Sequence, residues 1–262
     1  MSNQPLLNRR ILVTRGASQA SKLSDGLREF GAVAIEVPVI EIVPPESYDA
    51  LDQALGNLAQ YDWLILTSAN TVRILAERIG PKTQALQRSA PLQRIAAIGP
   101  ATEKAAREAG LNVTVTPQEY VAEGLVELLK DKLAGKRVLL ARAAVARDVI
   151  PDALREAGAI VDVVDAYSNV LPAAAPQQLR HAFARGIDAV TFASSSSVTH
   201  LAEAAQASAI PFPFPYVPAI SIGPITSKTL SDLNWKPAVE ADPHDIEGLL
   251  AAVVRFFTPT PK

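Results

Sequence analysis

The sequence predicts an α/β protein of two Rossmann- or flavodoxin-like lobes with parallel sheets, joined by a two-stranded β connector. Three observations carry this. The chain repeats itself, each copy alternates short β-rich runs with stretches of helical spacing, and an extended, proline-ended stretch follows the second strand of each copy.

The repeat is read directly. "RRILVTRGASQASKLSDGLREFGA" (9–32) aligns with "KRVLLARAAVARDVIPDALREAGA" (136–159) at an offset of 127, with ten of 24 positions identical, Arg15 and Arg142 among them. "DWLILTSANTV" (62–72) aligns with "DAVTFASSSSV" (188–198) at 126; "AIGPAT" (97–102) aligns with "SIGPIT" (221–226) at 124, as does "EGL" at 123 and 247. So steady an offset makes the chain two copies of one unit, head to tail.

Within each copy short β-rich runs alternate with stretches of helical spacing. "RILVT", "WLILT", "RIAAIG" and "VTV" are strand-like, while Leu23, Leu27 and Phe30, or Val121, Leu125 and Leu128, recur at helical spacing. Strand and helix in alternation mean a parallel sheet covered on both faces. Helix starts are expected at Ser68, Pro100, Ser194 and Pro224, and helix ends at Gly31, Gly110 and Gly158.

Two stretches break the alternation. "VPVIEIVPP" (37–45) and "VDAYSNVLP" (164–172) read as extended connectors, paired as a bridge between lobes, and "IPFPFPYVP" (210–218) as a rigid loop leading into a strand.

Composition bounds the function. A chain of 262 residues, 48% of them hydrophobic, can bury one large core or two modest ones. A net charge of −2 gives no electrostatic footprint for nucleic acid or an anionic membrane, so an anionic ligand would be held by local features. There are no cysteines, which fits the cytoplasm, and the three histidines lack metal-ligand spacing, so no metal is expected. No apolar block reads as a signal peptide or a membrane span.

In an open parallel sheet, ligands lie beyond the carboxyl ends of the strands, where helices begin. "TSAN" (67–70), "GPAT" (99–102), "SSSS" (194–197) and "GPIT" (223–226) all fall there. First-turn amides, helix dipoles and small hydroxyls make such turns donor arrays for carboxylates or phosphates. Capping alone also accounts for each hydroxyl; four turns equivalent by repetition favour a shared ligand cleft. Arg15 and Arg142 end equivalent strands and could reach a carboxylate or lie solvated, and Arg147, in a turn, reads as solvated.

No G-x-G-x-x-G, Walker loop or G-x-S-x-G elbow is present, which weakens nucleotide binding and serine hydrolysis. Ser196 and His200 stand at i, i+4, but no acid orients them as a dyad, and a core-edge or surface histidine is the better reading.

These motifs, in order and with "LREAGA", "DAYSNV" and the late "EGLL", resemble the uroporphyrinogen-III synthase family essentially end to end. The resemblance implies a lyase of tetrapyrrole biosynthesis that cyclises hydroxymethylbilane, inverts its last ring and loses water. It implies a discontinuous first lobe (1–37 and 172–262), a second lobe (45–164), connectors at 38–44 and 165–171, and an active-site cleft between the lobes.

Eight substrate carboxylates suit a cleft of neutral donors, without cofactor, metal, nucleic acid or membrane, and leave room for functional coupling to hydroxymethylbilane synthase. The family's tyrosine matches Tyr167, with protonation of the departing hydroxyl as its role and packing as the alternative. Substrate binding is expected of Arg15, Thr67, Ser68, Asn70, Thr102, Arg142, Ser194, Ser195, Ser196, Gly223, Pro224 and Thr226. The run of serines leaves open which of them matches the family's. A two-lobed polyanion-binding module without turnover is the rival reading. A monomer is the default.

Overall fold

A computed structural model describes residues 4–15, 17–80 and 94–258 of the chain. It forms two compact units, residues 1–41 with 170–262, and residues 42–169. Each is an α/β layer structure around one five-stranded sheet.

The first sheet contains β1 (Arg10–Val13), β2 (Val33–Glu36), β8 (Ala189–Phe192), β9 (Ala219–Ser221) and β10 (Val239–Glu240). They lie in the order β10-β9-β8-β1-β2, with every pair parallel. The second contains β3 (Glu41–Val43), β4 (Trp63–Leu66), β5 (Arg94–Ala97), β6 (Arg137–Ala143) and β7 (Ile160–Val170), in the order β3-β7-β6-β4-β5. Its β4–β5, β4–β6 and β6–β7 pairs are parallel.

The repeat and the folding unit differ. In the first sheet β1 and β2 come from the first copy and β8, β9 and β10 from the second; in the second sheet β6 and β7 come from the second copy and β4 and β5 from the first. Equivalent strands hold equivalent places. Each unit therefore joins the front of one copy to the back of the other, because the chain leaves its first sheet after β2 through β3, at the edge of the second sheet. The two connector stretches fall in β3 and the end of β7, which are neighbours there.

Both sheets are buried on both faces, which explains the continuous apolar runs. In the first unit Ile11 and Val13 pack on helices α1 (Ala17–Glu29) and α10 (Ile246–Phe257), while Leu12, Val190 and Phe192 face α7 (Ala175–Ala184), α8 (Ser195–Ala207) and α9 (Pro224–Asp232). In the second, Leu64 and Leu66 share a cluster with α2 (Asp49–Gly56), α3 (Ala69–Ile79) and α4 (Pro100–Glu108). Trp63 and Ile65 share another with α5 (Ala122–Leu129) and α6 (Val149–Glu156). Burying one such leucine or valine contributes roughly 1.5–3 kcal/mol against the entropy of ordering the chain.

Local signals behaved as their physics requires. Gly31, Gly110 and Gly158 follow α1, α4 and α6 with φ of 89, 79 and 85°. The 210–218 loop is held by Phe212 and Phe214 against Trp235, at centroid distances of 5.1 Å each, and leads into β9.

Three details differ from expectation. "VTV" makes only a single parallel bridge, Ala96 to Val115, since Pro117 has no N–H with which to extend a ladder. Its counterpart β10, two residues long, carries no apolar run to announce it. In α5 the buried pair is Leu125 and Leu129, with Leu128 only partly buried, because Val121 is the N-cap and the helix turns its i, i+4 row inward.

Candidate functional site

The expected site residues fall at the carboxyl ends of the strands, where each unit brings two turns together. In the second unit, α3 starts after β4 and α4 after β5, and the two helices pack side by side. In the first, α8 starts after β8 and α9 after β9, again in contact.

Ser68 is the N-cap of α3: its backbone is extended and its Oγ accepts the Thr71 N–H at 3.1 Å. The same Oγ lies 3.0 Å from Thr71 Oγ1 and 3.1 Å from Tyr167 Oη. Thr67 Oγ1 donates to the Ala141 carbonyl at 3.4 Å, and Asn70 Oδ1 accepts from Arg73 at 3.4 Å on the exposed side. Thr102 is buried in the first turn of α4.

Tyr167 reaches Ser68 through a bulge. Arg142 pairs with Asp165 and Ala143 with Tyr167, so β7 carries one residue more than β6 across this step. Strict alternation would send Tyr167 to the face opposite Ala166; the bulge resets the phase, and Val164, Ala166 and Tyr167 join one core cluster. The ladder closes beyond it with the Ala144 N–H donating to the Tyr167 carbonyl at 2.8 Å. Tyr167 is thus part of a sheet, on a rigid strand.

Ser194 caps α8 in the same way, its Oγ accepting the Ser197 N–H at 3.2 Å. Its surroundings differ. Ser194 Oγ lies 3.3 Å from Ser196 Oγ, Ser195 Oγ donates to the Ile225 carbonyl at 3.4 Å, and Ser197 Oγ donates to the Ser194 carbonyl at 2.6 Å. The Ser195 bond ties the serine turn to the next one, where Gly223 is the N-cap of α9, Pro224 its first residue, and Thr226 is buried.

The arginines part company. Arg142 donates to the Asp148 carboxylate at 2.6 Å and to the Arg147 carbonyl at 3.0 Å, so its charge pins the following loop, while Arg147 pairs with Glu123 at 3.4 Å. Arg15 stands half-buried at the end of β1, and burial lowers its pKa, though a guanidinium stays charged. The largest shift lies at the other end of the second sheet: burial, then the Asp162 carboxylate at 2.8 Å, push the Tyr61 phenol up to about 12. That group is structural and remote from the turns.

His200 points its Nδ1 at the Val39 carbonyl at 3.0 Å, and among the described residues Ser196 and His200 form no hydrogen bond. Among the described residues no three His, Asp or Glu side chains are grouped to hold a metal.

Three residues not expected at the site also belong to these turns. Thr71 closes the Ser68 cap. Tyr120 and His244, equivalent at an offset of 124, cover Gly99 and Gly223: a Cβ there would lie 3.3 Å from Tyr120 Cβ and 3.2 Å from His244 Cγ. Their signal is their place three residues before each "EGL".

What the turns can do follows from their chemistry. They offer first-turn amides and neutral hydroxyls, which stabilise carboxylates without a cationic cluster. Two phenols stand at the turns of the second unit: Tyr167, whose hydroxyl meets the Ser68 cap, and Tyr120, over Gly99.

Comparisons with known proteins point to one family. A family model described as uroporphyrinogen-III synthase HemD matches residues 21–251. A uroporphyrinogen-III synthase of Synechococcus elongatus is 35% identical over 262 residues, covering 98% of each chain. A putative uroporphyrinogen-III synthase of Methanothermobacter thermautotrophicus is 28% identical over 92% of this chain and 96% of its own. Among solved structures, a mutant uroporphyrinogen III synthase from Thermus thermophilus superposes with a TM-score of 0.65 at 21% identity, covering 94% of this chain and 98% of the other. A uroporphyrinogen-III synthetase from Helicobacter pylori superposes with a TM-score of 0.59, also at 21% identity, covering 95% and 99%. A family model over most of the chain and a relative matched at 35% identity from end to end settle the lineage: the chain belongs to the uroporphyrinogen-III synthase family.

Proposed function

We propose that this chain converts hydroxymethylbilane into uroporphyrinogen III and water in the cytoplasm, with Tyr167 as general acid and the four turns as carboxylate donors. Membership in a family of named synthases favours turnover over a polyanion-binding module without it. The observation that carries the mechanistic reading is the Tyr167 hydroxyl, 3.1 Å from the cap serine of a strand-end turn.

The reaction asks little covalent chemistry of the protein. Tyr167 protonates the hydroxymethyl oxygen, the C–O bond breaks, and water leaves as the pyrrole nitrogen supplies electrons. The substituted α-carbon of the last ring attacks the resulting azafulvene to give a spiro intermediate, which fragments and recloses through the free α-carbon. The inverted ring results.

Folding the flexible chain into this attack geometry is the larger task. Each unit contributes binding groups for it: Thr67, Asn70 and Thr102 from one, Ser194, Ser195, Ser196, Gly223 and Thr226 from the other, with Pro224 shaping its turn without an N–H to donate and Arg15 at the end of its strand. Donors fixed by helix starts need no reorganisation as charge develops. Arg142 is given a structural share, since Asp148 already neutralises it.

The test is isomer analysis of the product from freshly made hydroxymethylbilane. Type III in excess over the spontaneous type I isomer is expected; type I alone would overturn the reading.

A further inference from the structure

We propose that Thr71 sets the direction of a hydroxyl chain, Thr71 to Ser68 to Tyr167, which leaves the Tyr167 proton free for the substrate. The inference rests on the synthase reading above and adds a positioning residue to it.

A hydroxyl has one proton and two lone pairs. At Ser68 one lone pair is taken by the Thr71 N–H at 3.1 Å. One lone pair and one proton then remain for two neighbours, Thr71 Oγ1 at 3.0 Å and Tyr167 Oη at 3.1 Å. One neighbour must donate to Ser68, and the other must accept from it. Among the described residues Ser68 is the sole hydrogen-bond partner of either hydroxyl. One proton of the three is therefore left without a protein acceptor.

Burial decides which. If Tyr167 donated to Ser68 and Ser68 to Thr71, the stranded proton would belong to Thr71, which is 0% exposed. A buried donor out of reach of water is disfavoured. In the opposite order the free proton is that of Tyr167, which keeps 6% exposure. Thr71 donates, Ser68 relays, and Tyr167 accepts while its own proton points elsewhere.

Two consequences follow. Ser68 has no capacity left for a substrate carboxylate, so it acts through Tyr167. The phenol oxygen, already accepting a hydrogen bond, is stabilised as it gives its proton to the hydroxymethyl oxygen and the C–O bond breaks. The proton shed when the last pyrrole regains aromaticity restores the phenol.

The other half of the molecule shows what Thr71 contributes. Its counterpart is Ser197, whose hydroxyl turns away from the cap oxygen to the Ser194 carbonyl at 2.6 Å. A helical threonine can also turn its hydroxyl to the carbonyl three residues back, yet Thr71 Oγ1 faces the cap oxygen at 3.0 Å. The position equivalent to Tyr167 is Ile40, at 167 − 127, so the serine cap there has no phenol to serve.

The test is a double-mutant cycle in steady-state turnover of hydroxymethylbilane, with type III product read by isomer separation. Thr71→Val should lower kcat about tenfold, at the low end of the roughly 10²–10⁴-fold span of a full general acid, and leave KM within about twofold. In a Tyr167→Phe background the same substitution should cost nothing further. Circular dichroism verifies the fold, and Thr71→Ala takes the place of Thr71→Val if the latter does not fold. An unchanged kcat in the single variant, or an undiminished loss in the Tyr167→Phe background, overturns the proposal. If Tyr167→Phe alone keeps full turnover, the general-acid assignment falls and the chain with it, while type III formation by the parent protein keeps the synthase reading standing.

Discussion

The turn after β4 and the turn after β8 are copies of each other, and they do different things. Both start a helix with a serine whose Oγ accepts the N–H three residues on, Thr71 in one and Ser197 in the other. At Ser68 every hydrogen-bonding capacity is spent inside the protein, on Thr71 and Tyr167. At Ser194 the neighbours are further serines, and Ser194, Ser195 and Ser196 together present more hydroxyl capacity than the protein uses. The two copies have diverged at three positions, Tyr167 against Ile40, Thr71 against Ser197 and Asn70 against Ser196, and on the proposal above the first two give the Ser68 turn a proton to donate.

The comparison breaks first at Tyr167. Tyr167→Phe removes the acid and keeps the ring, so kcat should fall tenfold or more, the usual contribution of a positioned acid being roughly 10²–10⁴-fold. Initial rates at saturating substrate measure it. Unchanged kinetics would return Tyr167 to a packing role and make the two turns equivalent after all.

A second set of variants tests the symmetry. "EGL" places a glycine beneath a carbonyl in each half: a Cβ on Gly248 would lie 1.9 Å from the Pro243 oxygen, and one on Gly124 2.3 Å from that of Glu119. Gly248→Ala and Gly124→Ala should each cost about 2–3 kcal/mol in urea unfolding, Gly248 the more, as overpacking of a close backbone contact does. A neutral result at either position would mean that the two halves do not share this device.

Much of this was legible in the sequence because it rests on local rules. Ser68, Ser194, Pro100 and Pro224 announced helix starts through capping alone, and the offsets of 127, 126 and 124 announced the duplication. What stayed hidden depends on pairing between distant segments. Offsets do not say which strands share a sheet, so the exchange of copy halves between units could not be read from them. The bulge opposite Arg142 and Ala143, which turns Tyr167 toward Ser68, leaves no trace in an alternation pattern. Nothing in the sequence singles out Thr71 in the first turn of its helix, because the burial of its hydroxyl beside Ser68 is set by tertiary packing. Arg142 reads in the sequence as ligand-facing or solvated, because its pairing with Asp148, six residues on, depends on a turn whose geometry the sequence does not state.

Smaller effects sharpen the same contrast. Ser68→Ala and Ser194→Ala each remove a helix cap and should each lower stability by about 1 kcal/mol, in thermal or urea unfolding. Equal losses would show that the caps are structurally alike, whatever their chemistry.

At the opposite sheet ends the halves again match: Asp62 accepts the Arg137 N–H at 2.9 Å, and Asp188 accepts the Arg10 N–H at 2.7 Å. The Arg137 N–H and then the Lys136 ammonium hold the Asp62 carboxyl below its usual range. A depressed folded pKa stabilises the fold above the unfolded value of about 3.9, and this share is lost as pH falls through the folded pKa. Asp62→Asn should therefore flatten the acid limb of the stability curve slightly, and an unaltered limb would remove this pair from the account.

The claim that one turn holds substrate while the other also governs its acid is met most directly by measuring kcat and KM for Ser68→Ala and Ser194→Ala side by side. The account predicts a kcat loss of about tenfold for Ser68→Ala, and for Ser194→Ala a raised KM with kcat within about twofold. Equal falls in kcat for the two variants would contradict it.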